Sequence, residues 1–197
     1  PHNVGFEVVD VLARRMGVEL NTLASGKYWG QSLSDPDDRT RARAVKFLKA
    51  HLQAAAWLGA KTILVIPGAV AVPWEKKPKV VPYADVWKLA TRSIRACLPT
   101  AKKVGVTIGL ENVWNLFLTD PVAMKLFVDQ FESPRVQVYF DVGNCLINGY
   151  PEHWIDILGS RIQAVHVKSF RRRDGAGGLS CFTRDLLDSD TDWKAVI

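Results

Sequence analysis

Three residues able to bind a metal ion stand where apolar stretches end. Glu111 follows the stretch 106–110, Asp141 follows 136–140, and His166 closes 161–165. Two carboxylates and one imidazole suit a hard or borderline divalent cation, and this donor set alone admits Mn²⁺, Zn²⁺, Fe²⁺, Co²⁺ or Mg²⁺. The chemistry requires convergence. Positions 30 and 25 residues apart must meet at one point, so the elements between them decide whether a site exists.

The three stretches read as strands, along which side chains alternate between faces. Thr107, Gly109 and Glu111 then share one face, and Val106, Ile108 and Leu110 the other. Gln137, Tyr139 and Asp141 lie opposite Val136, Val138 and Phe140. Ile162, Ala164, His166 and Lys168 lie opposite Gln163, Val165 and Val167. Each strand therefore ends in a polar group on one face and carries apolar residues on the other.

Helical spacing fills the intervals. Val8, Val9, Leu12 and Met16 mark the end of a helix, with Gly17 as its cap and a strand over 18–24 after it. Residues 25–30 read as a loop carrying Tyr28 and Trp29. Asp35 and Pro36 read as N-cap and first helical residue of the next helix, whose stripe is Arg41, Val45, Leu48, Leu52, Ala55 and Ala56. His51 borders that stripe and reads as structural. A wholly apolar strand covers 62–66, and a long loop covers 67–82. A further helix from Pro82 is broken by Pro99, one starts at Asp120-Pro121, and a short one starts at Pro151.

This order is helix–strand repeated five times, which means a parallel sheet with helices outside. An open doubly wound sheet is covered by helices on both faces. A closed barrel has an interior that can hold Thr107, Gln137, Tyr139, Lys168 and the three acceptors together. No glycine-rich phosphate fingerprint follows any strand. The fold class expected is therefore α/β, a (β/α)8 TIM-type barrel. A full barrel takes about 250 residues, so the 197 residues read as a single partial TIM-barrel domain. It holds five to six of the eight units and lacks the first strand and the last two.

The chain is 48% hydrophobic and 23% charged with net charge +6, the composition of soluble globular material. No apolar run is long enough to span a bilayer, and the start shows no signal-peptide pattern. Three cysteines without paired spacing fit a reduced, cytoplasmic setting. The basic residues look scattered, the pattern of a solvated surface that would also tolerate an anionic small molecule.

The motifs Gly109-Leu110-Glu111-Asn112-Val113-Trp114-Asn115, Tyr139-Phe140-Asp141-Val142-Gly143-Asn144 and Arg161-Ile162-Gln163-Ala164-Val165-His166-Val167-Lys168 together resemble the sugar phosphate isomerase/epimerase family. That family has the xylose-isomerase-like barrel. The resemblance implies a divalent metal held by Glu111, Asp141, His166 and a second glutamate expected beyond Ile197. It implies proton abstraction next to a carbonyl through an enediolate, with Glu111 as catalytic acid/base. Lys168, Arg172, Asn144, Trp114 and Asn115 are the expected substrate contacts, the substrate being a sugar or sugar phosphate.

Some positions depart from the family's pattern. Ser169 stands where an aspartate is common, Asn144 where ketose 3-epimerases carry a histidine, and Phe117 where they carry a glutamate. The last two departures fit the phosphate-using or isomerase branches better than the ketose 3-epimerases; the expectation is an isomerase or epimerase, with a homo-oligomer admitted. The alternatives are an abasic-site endonuclease-like nuclease of the same superfamily, for which nucleic acid is the disfavoured partner, or a catalytically incomplete metal- or sugar-binding fragment.

Overall fold

The computed structural model describes residues 11–72, 74–172, 181–182 and 185–197. Five strands form one sheet: β1 (Thr22–Leu23), β2 (Thr62–Val65), β3 (Thr107–Glu111), β4 (Val136–Asp141) and β5 (Ile162–His166). All neighbouring pairs are parallel, and the order is β1-β2-β3-β4-β5 from edge to edge. A doubly wound sheet reverses its winding partway across. Here every crossover advances in the same direction, as in a barrel wall, and the result is a curled, incomplete TIM-type barrel.

The helices are α1 (Lys27–Gly30), α2 (Asp38–Trp57), α3 (Tyr83–Arg95), α4 (Leu98–Val104), α5 (Pro121–Asp129), α6 (Pro151–Leu158) and α7 (Trp193–Val196). No helix among the described residues is long and apolar enough to cross a membrane. The outward strand residues Ile63, Val65, Ile108, Leu110, Val138 and Phe140 are fully buried. They share one core with Leu48 and Leu52 of α2, Ile94 of α3 and Phe127 of α5. Each such side chain contributes about 1.5–3 kcal/mol by leaving water, and this layer holds the strand ends in place.

Several local expectations change. The cap of α2 is Asp37, whose carboxylate accepts from the Thr40 amide at 2.7 Å. Asp35 instead accepts from the Asp37 amide and binds Lys79, closing a turn ahead of the helix. β1 is only two residues long rather than 18–24; Val18 is exposed, and its amide donates to the Ala13 carbonyl at 2.9 Å rather than to a strand. Leu12 and Met16 are exposed as well, while Val8 and Val9 lie outside the described residues. Residues 25–30 contain α1, and Tyr28 is buried there with its hydroxyl 2.9 Å from His51 Nδ1. Burial pushes the His51 imidazole down to about 4, so it stays neutral and structural. Pro99 does split the long helix, falling in the first turn of α4.

The helix α5 begins as its sequence predicts. Asp120 accepts from the amides of Val122 and Ala123, both at 2.9 Å, with Pro121 in the first turn. Asp120→Ala is expected to lower stability by about 1 kcal/mol, readable as a drop in the urea midpoint at unchanged slope.

β5 departs from simple alternation. Val138 pairs with Ile162, but Tyr139 pairs with Ala164, so Gln163 is an extra residue in the strand. Ile162 therefore turns outward and packs on the helix-side core, although strict alternation places it on the face of His166.

Candidate metal centre

β3, β4 and β5 end side by side, and the register pairs Glu111 with Tyr139 and Asp141 with His166. Inward alternation on adjacent strands makes the three acceptors meet. His166 Nδ1 lies 3.0 Å from Glu111 Oε1 and 3.0 Å from Asp141 Oδ2. One donor atom from each of the three falls within 4.8 Å of the others, and this is the one group with metal-ligand spacing among the described residues. Donors about 2.1 Å from an ion and at right angles to each other sit about 3.0 Å apart. The residues fit a divalent ion.

Burial sets the electrostatics. Asp141 is fully buried and Glu111 nearly so, while the His166 side chain is 45% exposed and faces the open side. Burial pushes the Glu111 carboxyl above the usual range, against the opposing hydrogen bond from His166. The hydrogen bonds to Asp141 and then Glu111 raise the His166 imidazole to about 9. An imidazolium thus bridges two carboxylates and holds positive charge at the point where a cation would sit.

The surrounding contacts orient Asp141. Its Oδ1 accepts from the Asn144 amide at 2.7 Å. Asn112 accepts from the Asp141 amide at 2.8 Å and donates Nδ2 to the Asp141 carbonyl at 2.9 Å. Asn112 thus adds a side-chain rung between β3 and β4 just beyond Glu111. Sequence reasoning did not single it out; the signal was an amide residue immediately after a candidate ligand at a strand's end. Asn112→Ala is expected to weaken metal binding about 10–100-fold, measurable by isothermal titration with Mn²⁺.

The expected substrate contacts separate into two groups. Lys168 Nζ is 2.9 Å from Asn144 Oδ1, 3.5 Å from Asp141 Oδ2 and 3.7 Å from the centre of the Phe182 ring. Phe182, also missed in the sequence, packs on Trp114 at 4.6 Å and with Phe170 makes an aromatic wall beside the site. Trp114 donates to the Asn144 carbonyl, and Asn144 Nδ2 donates to the Asn112 carbonyl. Lys168, Asn144 and Trp114 therefore adjoin the three acceptors.

Asn115 and Arg172 make their contacts with other groups. Asn115 is fully buried, donating to the Gly68 carbonyl and accepting from the Phe117 amide, so its amide braces the loop after β3. Arg172 donates to the carbonyls of Leu146 and Gly149 and stacks 4.5 Å from the Tyr150 ring. That guanidinium ties the chain after β5 to the loop after β4 and is already occupied. Phe117 lies in an aromatic cluster with Tyr83, Trp87 and Phe127.

Comparison with solved structures places the same fold in several sugar epimerases. A D-tagatose 3-epimerase-like protein is 18% identical, with 98% of this chain and 70% of that one aligned at a TM-score of 0.80. An L-ribulose 3-epimerase is 20% identical, covering 100% and 62% at 0.79. A D-psicose 3-epimerase crystallised in the presence of D-fructose is 17% identical, covering 100% and 64% at 0.79. The chain thus spans between 62% and 70% of these relatives' length. No curated protein sequence matches it. The family described as a xylose isomerase-like TIM barrel matches residues 7–197, and the chain belongs to that family.

Proposed function

We propose that Glu111, Asp141 and His166 are three ligands of a divalent metal site at which a ketose is epimerised or isomerised. The observation that carries this is the convergence of two buried carboxylates on one imidazole nitrogen, 3.0 Å from each, at adjacent strand ends. A divalent ion bound there would polarise the sugar carbonyl and favour loss of a proton from the neighbouring carbon. Glu111 removes that proton, and burial, which pushes its carboxyl above the usual range, works in the direction a general base needs. Asp141, fixed by Asn112 and Asn144, stays in place while Glu111 changes protonation. Return of the proton by Glu111 to the next carbon gives isomerisation. Return to the opposite face gives epimerisation and needs a second acid, which the family pattern assigns to a glutamate on a following strand.

An unphosphorylated ketose is the favoured substrate, although Asn144 and Phe117 taken alone point to the phosphate-using or isomerase branches. Arg172 is engaged by two carbonyls and a ring, and Lys168 by Asn144, Asp141 and Phe182, so a phosphate would have to compete with existing partners for either cation. The neighbours named for ketose epimerisation support the same reading. The nuclease alternative needs several metals. Beside this three-residue group no second one with metal-ligand spacing stands among the described residues.

The test is solvent deuterium exchange. The protein with Mn²⁺ or Co²⁺ is incubated in D₂O with D-fructose, D-tagatose or L-ribulose and followed by NMR. Metal-dependent deuterium at C3 indicates epimerisation, and at C1 or C2 isomerisation. A metal-loaded protein that exchanges no carbon-bound hydrogen in any ketose would sink the proposal.

A further inference from the structure

The inner face of the sheet carries a contact that spans almost its whole width. Tyr139 precedes Asp141 by one inward-facing position on β4 and is the register partner of Glu111 on β3. Its hydroxyl lies 3.1 Å from Thr22 Oγ1 on β1. Between β4 and β1 stand both β3 and β2, so the ring crosses two strands to reach the edge of the sheet. Gly109 makes room for this. A Cβ at that position would lie 3.1 Å from Tyr139 Cβ, 3.0 Å from Thr62 Cγ2 and 3.1 Å from the Ile63 carbonyl oxygen. A residue larger than glycine there would meet the base of the tyrosine side chain and the wall of β2 together.

Hydrogen bonds between neighbouring strands fix their spacing and register. The rotation from each strand to the next varies widely among sheets, so curl summed over four strands is loosely determined by the ladder alone. A chord from the first strand to the fourth restrains that sum directly. Curl matters because the three acceptors stand on three different strands, and ligand sets tolerate displacements of only about 0.5 Å.

We propose that the Tyr139–Thr22 hydrogen bond is a strut across the half-barrel, admitted by Gly109, that sets the curl at which Glu111, Asp141 and His166 converge. Tyr139 is a positioning residue for the metal centre, and this role rests on the metal reading above.

The test uses Tyr139→Phe, which keeps the ring, and Thr22→Val, which keeps the side chain's shape, with their double variant and the conservative Thr22→Ser. Co²⁺ titration by visible absorption reports both affinity and ligand geometry. Hydrogen exchange at the Leu23 amide, without metal, reports the strut itself. Each hydroxyl deletion is expected to weaken Co²⁺ binding about threefold to tenfold, the range for one neutral hydrogen bond. The same variants should shift the cobalt bands and speed exchange at Leu23. The double variant should be no weaker than either single, because both remove the same bond, and Thr22→Ser should behave as the parent.

Effects that multiply in the double variant overturn the strut, as does unchanged exchange in both singles. Faster exchange with unchanged cobalt affinity and spectrum overturns the positioning role. Failure of the unsubstituted chain to take up Co²⁺ overturns the metal reading instead, and exchange at Leu23 still decides whether the strut exists.

Discussion

Glu111→Gln is expected to lower kcat on a ketose by about 10²–10⁴-fold, the contribution of a positioned general base, and to weaken metal binding. The substitution keeps the volume and leaves an oxygen that can still accept from His166, which lies 3.0 Å away. It removes the negative charge and the basic lone pair. Loss of the buried charge relieves its desolvation but weakens its pairing with the His166 imidazolium, which keeps Asp141, so the metal-free variant should fold with a Tm modestly below the parent's. The combination of intact folding, weakened metal and collapsed kcat distinguishes a chemical role from a structural one. A variant turning over within threefold of the parent would exclude Glu111 as the base.

The second large effect is on pH. Without metal, His166 holds its proton up to about pH 9 because Asp141 and Glu111 both accept from it. A cation must displace that proton, so apparent affinity should rise about tenfold per pH unit from roughly pH 6.5 towards 9 and then flatten. Metal-free stability runs the other way. The folded imidazole titrates above its unfolded value, so its contribution is complete below pH 6.5 and lost as pH rises through 9. The metal-induced rise in Tm should therefore grow with pH while the metal-free Tm falls. Isothermal titration at pH 7 in two buffers of different ionisation enthalpy should show about one proton released per ion bound. Affinity constant from pH 6.5 to 9, with no proton release, would show that His166 is not a ligand.

The strand faces and the convergence of the three acceptors were legible because alternation is local. Ile108 and Leu110 are apolar and buried against helices, and Glu111 is polar at the next inward position. What escaped was set by tertiary pairing. Nothing in the run Ile162-Gln163-Ala164 marks an extra residue, because it becomes one only when Val138 and Tyr139 are laid beside it. The same holds for Asn115 and Arg172. Their types suit a sugar, but the sequence does not show that the Gly68, Leu146 and Gly149 carbonyls lie within reach. Asn112 was overlooked for the opposite reason, since its partners are main-chain atoms of a strand 29 residues away.

The register shift in β5 also bears on which insertions and deletions the strand can accept. Below Gln163 the strand is phased by Ile162 in the helix-side core; above it, by His166 beside Asp141. Loss of Gln163 would restore a continuous ladder with both anchors still in place. Loss of one residue between Ala164 and His166 would bring the imidazole to the outward-facing position beside Phe140 and remove it from the carboxylates. Length variation among homologues should therefore gather at the first of these points and be absent from the second.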